Sequence, residues 1–240
     1  MVKIDLITGF LGSGKTTFIK KYAKYLMAQG MNIGILENDF GAVNVDMMLL
    51  KDLEGDQCEL EMVAGGCDAD CHRRRFKTKL IAMGMCGYDR VIVEPSGIFD
   101  VDEFFDVLRE EPLDQWYEIG SVITIMNAKL EDTLSEEAEY LLASEAANAG
   151  CVVLSRSQDA SPEEIAKTRA HLNCALQAVH CSRQFGDEII EKNWEDFTEQ
   201  DLERIQNSGY HVEDYTKLHF PEEERFQSVC VMNQEMTRQE

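Results

Sequence analysis

The feature that most constrains this chain is a glycine-rich stretch near its start, GFLGSGKTT, at residues 9–17. It fits the pattern G-x-x-x-x-G-K-[ST], with Gly9 as the first glycine and Gly14, Lys15 and Thr16 at the end. A β-prone alternating segment precedes it, and apolar residues at helical spacing follow it. In this strand–loop–helix context, such a loop is expected to bind phosphate groups, and we call residues 9–17 the phosphate loop.

The chemistry of the phosphate loop follows from its residue types. Glycines allow successive N–H groups to surround phosphate oxygens, and the helix N-terminus adds partial positive charge. We expect Lys15 to contact the β- and γ-phosphates of a nucleotide and the Thr16 hydroxyl to ligate Mg²⁺. A chance glycine loop is the alternative, and the flanking elements argue against it. The nucleotide-binding residues predicted here are Gly9, Gly12, Ser13, Gly14, Lys15, Thr16 and Thr17.

Composition narrows the classes of partner. The 240 residues carry a formal net charge of −22, which disfavours nucleic acid and anionic membranes as partners. No apolar run approaches the roughly 18–20 residues that span a membrane, and the start of the sequence lacks a signal-peptide pattern. We therefore expect a cytoplasmic globular protein whose cysteines are mostly reduced.

Short apolar runs alternate with longer amphipathic stretches, a pattern typical of βαβ units. It predicts an α/β fold of the P-loop NTPase type, with a mostly parallel sheet, helices on both faces and ligands at the carboxyl ends of the strands. Ser135, Ser161 and Thr198 are predicted helix N-caps. The predicted strands lie near residues 2–8, 32–37, 89–94, 121–127, 151–155 and 178–181. The predicted helices lie near residues 15–29, 72–84, 101–110, 136–149, 162–176 and 198–207.

Acidic residues end two of these strands. Asp39 is the candidate for holding Mg²⁺ through water, and Glu37 could approach a second metal, although a solvated turn explains both equally well. The next strand ends in Glu94-Pro95-Ser96-Gly97, which resembles a Walker B acid followed by a γ-phosphate-sensing glycine. Glu94 is expected to orient the Mg²⁺ shell or the attacking water, and the Gly97 N–H to sense the γ-phosphate. Lys15, Asp39 and Glu94 are the catalytic candidates.

Four motifs in order (GFLGSGKTT, ENDFG, GGC and EPSG) resemble the CobW-type metal-handling P-loop GTPases, which are related to UreG and HypB. The resemblance covers about residues 3–160. It implies GTP and Mg²⁺ as ligands, slow hydrolysis, a transition metal such as zinc or cobalt, and a metalloprotein that receives it. It also implies a GTPase domain, here residues 1–212, followed by a smaller C-terminal domain. Residues 213–240, an acidic segment and a strand-like run at 226–232, would be the start of that domain, unless the strand adds to the edge of the main sheet.

The metal motif departs from the family pattern. The family has Cys-x-Cys-Cys after a glycine, whereas this chain has Gly-Cys-Asp-Ala-Asp-Cys-His at residues 66–72. Cys67 aligns directly, and Cys71 matches only with a shift of one residue. Cys67, Cys71, His72 and an acid such as Asp70 or Glu37 still offer sulfur, nitrogen and oxygen ligands for Zn²⁺. Structural thiols in a switch loop and a redox pair are the alternatives.

The base-reading loop also departs from the family pattern. The family has Asn/Ser-Lys-x-Asp after the fifth strand, whereas this chain has Ser155-Arg156-Ser157-Gln158. Gln158 can accept one guanine N–H but loses the charge-assisted pair that an aspartate makes, and Asp159 could replace it with a register slip. Arg156 could stack on the base. Ser155, Arg156 and Gln158 are therefore predicted to contact the base, with guanine preference weakened and ATP left open.

Two other functions remain as alternatives to a metal-coupled GTPase. A nucleotide-gated protein-binding module would bind nucleotide and a partner with negligible turnover and no metal. A small-molecule kinase ranks last, because no basic lid is evident. Formation of a homodimer is left open.

Overall fold

The computed structural model describes residues 1–10, 12–39, 45–64, 69–95, 101–131 and 133–218. For residues 38, 39, 45, 46, 64, 69 and 70 it describes the backbone only. The strands are β1 (Val2–Thr8), β2 (Ile33–Asp39), β3 (Cys58–Ala64), β4 (Arg90–Pro95), β5 (Tyr117–Asn127), β6 (Cys151–Ser155) and β7 (Ile189–Ile190). The helices are α1 (Lys15–Ala28), α2 (Val45–Leu50), α3 (Ala69–Gly84), α4 (Val101–Leu108), α5 (Leu113–Trp116), α6 (Glu136–Ala147), α7 (Pro162–Ala178) and α8 (Glu199–Gln206).

The strands within these ranges form one sheet in the order β3-β2-β4-β1-β5-β6-β7, and every neighbouring pair is parallel. Successive strand residues face opposite sides, so each face supports its own core. Ile4 and Leu6 of β1 join the core under α3, α4, α6 and α7, whereas Ile7 joins the core under α1, α2 and α8. The predicted α/β fold with helices on both faces is confirmed.

The sheet order determines where the phosphate loop lies. β1 occupies a central position between β4 and β5, so the loop that follows Thr8 begins at the carboxyl edge of the sheet. β2 pairs with β4 in a register that sets Glu37 opposite Glu94. The acids predicted at the ends of two strands thus come from neighbouring strands.

The structure corrects several boundaries. The strand predicted at 178–181 is wrong, because α7 continues to Ala178 and the last strand of the described sheet is Ile189–Ile190. β3, α2 and α5 were not predicted, and α3 begins at Ala69, three residues before the predicted start. The predicted N-caps are confirmed: Ser135, Ser161 and Thr198 each accept a backbone N–H from the first turn of the helix that follows.

A buried ion pair joins β1 and β4 at a distance from the phosphate loop. Asp5 lies fully buried in mid-strand, and Arg90 Nη1 contacts its two carboxylate oxygens at 2.7 and 2.6 Å. The Tyr22 hydroxyl and the Ser121 N–H donate to the same carboxylate, each at 2.8 Å. Four donor contacts thus satisfy a charge that would otherwise be costly to bury.

The beginning of the predicted C-terminal segment lies against the domain. The Thr216 N–H donates to the Val179 carbonyl at 2.8 Å, and Lys217 pairs with Asp102 of α4 at 2.5 Å. The predicted strand at 226–232 lies outside the described residues, and the domain boundary at residue 212 stays a prediction. Every helix in the described ranges is too short or too polar to cross a membrane.

Candidate nucleotide-binding site

The phosphate loop owes its shape to close backbone approaches that only glycine allows. Gly9 has φ 135°, and a Cβ there would lie 2.2 Å from the Ile125 carbonyl oxygen of β5. Gly14, just before α1, has φ 102° in the left-handed region. The loop therefore turns tightly against the carboxyl end of the sheet and directs the N-terminus of α1 into the turn.

Lys15 is held inside the loop rather than extended into solvent. Its side chain is only 6% exposed, and its ammonium donates to the carbonyls of Gly9 at 2.9 Å and Phe10 at 3.3 Å. The Ser13 hydroxyl of the same loop is buried and finds no hydrogen-bond partner among the described residues. A fixed ammonium and a buried hydroxyl next to the N-terminus of α1 fit the phosphates of a nucleotide.

The predicted Mg²⁺ ligands meet beside the loop. The Thr16 hydroxyl donates to Glu94 Oε1 at 3.1 Å, and both side chains are buried. Glu37, also buried, occupies the register position beside Glu94. A hydroxyl and carboxylates are the hard oxygen ligands that suit Mg²⁺, so the residues present fit this ion. The side chain of Asp39 and all of Gly97 lie outside the described residues, and Thr17 is exposed at the start of α1.

The base-reading loop follows β6 and lies next to the phosphate loop. Ser155 is buried at the end of β6, and Arg156 has φ 56° and donates to the Gly12 carbonyl at 3.4 Å. Gln158 is exposed and its amide donates to Asp159 at 3.3 Å. The structure therefore brings Arg156 to the phosphate loop and leaves the Gln158 side chain at the surface beside Asp159.

Trp194 is a neighbour of this loop that the sequence analysis missed. Its indole N–H donates to the Leu154 carbonyl at 2.8 Å, and its ring packs edge-on against Phe18 of α1. A Cβ on Gly14 would lie 3.2 Å from the Trp194 ring. The ring thus braces the phosphate loop against the end of β6. A single tryptophan after the last strand carries no motif that would have revealed this position.

Only some of the side chains predicted to ligate a transition metal are among those that the structure describes. Cys71 is half-buried and lines a groove of about 570 Å³ between α3 and β3, whereas its neighbour His72 is buried and does not line that groove. Cys67 and the Asp70 side chain lie outside the described residues. Among the side chains that are described, no group of three or more His, Cys, Asp or Glu residues is arranged to hold a metal ion.

Glu145 of α6 is a second residue that the sequence analysis missed. Its carboxyl group is buried beside the phosphate loop and accepts the Gly9 N–H, and burial raises its pKa to about 8 although Lys15 and this hydrogen bond lower it. The signal that could have found it is a lone acid within the run Leu-Ala-Ser-Glu-Ala-Ala at residues 142–147.

A glycine-rich loop from the central strand, a buried lysine inside it, and a threonine beside a strand-end acid define a P-loop nucleotide-binding protein. The family model of the CobW/HypB/UreG nucleotide-binding domain matches residues 3–184. The chain therefore belongs to this family, as the four sequence motifs predicted.

Individual relatives agree with this assignment. Zinc chaperone YeiR of Escherichia coli (strain K12) is 28% identical over 167 residues, which make up 68% of this chain and 49% of the relative. Zinc-regulated GTPase metalloprotein activator 1 of Schizosaccharomyces pombe is 22% identical over 200 residues, 79% of this chain and 48% of the relative. The chain thus spans about half the length of these curated relatives.

A solved structure supports the fold independently. The hydrogenase maturation factor HypB from Archaeoglobus fulgidus superposes with a TM-score of 0.52 at 15% identity, over 85% of this chain and 86% of that one. At this level of identity the similarity concerns the fold alone.

Proposed function

We propose that this chain binds GTP with Mg²⁺, hydrolyses it slowly in the cytoplasm, and couples its nucleotide state to holding and delivering a transition metal, zinc or cobalt. The observation that carries the proposal is the contact of 3.1 Å between the Thr16 hydroxyl and Glu94 beside the buried Lys15. This arrangement provides charge neutralisation and a magnesium ligand set at one edge of the sheet. A metalloprotein is the proposed recipient of the metal.

Each residue of the site has a distinct task in this proposal. Lys15 and the loop N–H groups stabilise negative charge on the phosphates, and Thr16 supplies a hydroxyl ligand for Mg²⁺. Glu94 and Asp39 orient the water shell, and the Gly97 N–H senses the γ-phosphate. Thr16 and Glu94 would hold Mg²⁺, which when bound would supply positive charge against the negative charge of the phosphates.

Support for a metal cargo comes from the relatives and from the position of one thiol. YeiR is named a zinc chaperone, and the fission yeast relative is named a zinc-regulated GTPase. Cys71 lies in the first turn of α3, four residues after Cys67. A thiolate pair at this spacing would favour zinc over magnesium. We propose Cys67 and Cys71 as ligands, with His72 and Glu37 as further candidates.

The test is nucleotide hydrolysis with Mg²⁺ during a zinc titration under reducing conditions, with GTP compared against ATP. We expect a GTP-selective rate that changes at about one zinc per chain and no longer responds in Cys67→Ala or Cys71→Ala, because each removes a thiolate ligand. Cys86→Ala is the matched control, since Cys86 is an exposed thiol just after the same helix. A response to zinc that survives in both ligand variants would contradict the assigned site.

A second prediction concerns the choice of base. Gln158→Asp restores the carboxylate that pairs with two guanine N–H groups, so we expect the ratio of GTP to ATP affinity to rise by about tenfold or more. Competition binding with the two nucleotides measures this ratio. Glu163→Gln, at an exposed position in the first turn of α7, should leave it unchanged. An unchanged ratio in Gln158→Asp would mean that Asp159 or another group reads the base.

The nucleotide-gated binding module remains the second candidate, and one observation favours it. The groove between α3 and β3 is lined by Arg74, Arg75 and Lys79 together with Met62, an unusual concentration of cations in a chain of net charge −22. Such a groove suits an acidic partner protein. Negligible turnover with no zinc response would make this candidate the leading function.

A further inference from the structure

Glu145 is held in place at the point where the phosphate loop begins. Its main-chain carbonyl accepts the Thr124 hydroxyl of β5 at 2.9 Å and the Thr8 hydroxyl of β1 at 3.4 Å. Glu145 is 3% exposed, and its carboxyl group accepts the N–H of Gly9. One side chain therefore ties α6 to the first residue of the loop.

The charges around Glu145 create a conflict with a bound nucleotide. The charged group that acts on the carboxyl of Glu145 is Lys15 of the loop, and the Gly9 N–H of the same loop donates to it. The hydroxyls of Thr8 and Thr124, from the sheet, bind the main-chain carbonyl of Glu145 and are uncharged. The ammonium of Lys15 is also the group expected to neutralise the phosphates. An ionised carboxylate in this buried position would compete for that ammonium and repel the phosphates through a medium of low dielectric constant.

We propose that Glu145 is a positioning residue of the phosphate loop that must carry a proton when the loop holds a nucleotide. The neutral carboxyl group still accepts the Gly9 N–H and leaves Lys15 to the phosphates. The inference rests on nucleotide binding in the proposed function, and it requires neither hydrolysis nor a transition metal.

The direction of the pH dependence follows from linkage. Burial raises the pKa of Glu145 in the nucleotide-free protein to about 8. The negative phosphates raise this pKa further, so the complex keeps the proton to a higher pH than the free protein does. Nucleotide affinity is therefore highest below pH 8 and falls as the pH rises through that value. With Glu145 still protonated in the complex at pH 9, the protein binds the nucleotide about tenfold more weakly at pH 9 than at pH 7.

The experiment measures the Kd of GDP without Mg²⁺ from pH 6.5 to 9 in the wild type and in Glu145→Gln. The amide has the same shape and cannot ionise, so we expect its Kd to lack the tenfold rise of the wild type. Titration of the nucleotide itself is common to both proteins and cancels in the ratio. Calorimetry in buffers of different ionisation enthalpy should show that at pH 8 the wild type takes up about half a proton more per GDP than Glu145→Gln does.

Two further variants separate positioning from a general structural role. Glu145→Ala removes the acceptor for the Gly9 N–H, so it should weaken GDP binding without the wild-type rise in Kd with pH. Glu136→Gln, an exposed acid in the first turn of the same helix, should behave as the wild type. Parallel pH profiles for the wild type and Glu145→Gln would overturn the inference while nucleotide binding stands. Absence of GDP binding in every protein would overturn the proposed function and this inference together.

Discussion

Substitution of Lys15 by alanine is expected to lower the rate of GTP hydrolysis by about 10²–10³-fold, comparable with the loss of one preorganised donor to a transition-state charge. We expect this loss of rate because of the surroundings of the Lys15 side chain. The ammonium is buried and already oriented by the carbonyls of Gly9 and Phe10, so it meets the phosphates with little reorganisation. Phosphate release under single-turnover conditions measures the effect.

Two companion variants make the Lys15 result interpretable. Lys15→Met keeps most of the side-chain volume and should lose as much activity as Lys15→Ala, because the charge rather than the packing is required. Lys24→Ala, at an exposed position of the same helix, should keep the wild-type rate. Near-normal hydrolysis in Lys15→Met would show that the measured activity does not come from this loop.

Substitution of Arg90 by leucine is expected to lower the free energy of unfolding by about 3–5 kcal/mol, the cost of leaving a buried charge without its partner. Asp5 is fully buried, and Arg90 provides the contacts at 2.7 and 2.6 Å that compensate its charge. The Tyr22 hydroxyl and the Ser121 N–H remain, but neither carries a positive charge. Urea unfolding followed by circular dichroism measures the change.

A double variant tests the physical reason for that loss. Asp5→Leu combined with Arg90→Leu should be more stable than Arg90→Leu alone, because no uncompensated charge is then buried. Arg109→Leu serves as the surface control and should change the free energy of unfolding by less than about 0.5 kcal/mol. Its side chain is 62% exposed and pairs with Asp106 at 3.8 Å. Equal losses in Arg90→Leu and Arg109→Leu would contradict a special role for the buried pair.

The local sequence pattern was sufficient to predict structure wherever interactions between residues close in the sequence determine it. The phosphate loop was predictable because its glycines, lysine and threonine are consecutive and stand between a strand and a helix. The N-caps at Ser135, Ser161 and Thr198 were predictable because a capping side chain satisfies N–H groups only three residues away. These interactions need no knowledge of the rest of the fold.

The local sequence pattern gave wrong predictions where the same pattern is compatible with more than one secondary structure. The apolar run Ala-Val-His-Cys at 178–181 is too short to distinguish the end of a helix from a strand, and α7 takes its first residue. β3 was missed although its buried Cys58 and Leu60 alternate with Glu59 and Glu61, a pattern typical of a strand with one polar face, because glutamate is uncommon in strands. Its pairing with β2 at the sheet edge decides its conformation.

The sequence by itself determined the class of fold, the position of the phosphate loop between a strand and a helix, and the family, because these depend on consecutive residues and on the order of motifs. The tertiary structure alone decided which distant side chains reach that loop. Glu145 lies 137 positions from Thr8, yet its carbonyl bonds to the Thr8 hydroxyl, and Trp194 reaches Gly14 from beyond the last strand. Such contacts arise from the parallel sheet order, which gathers the carboxyl ends of distant strands at one edge.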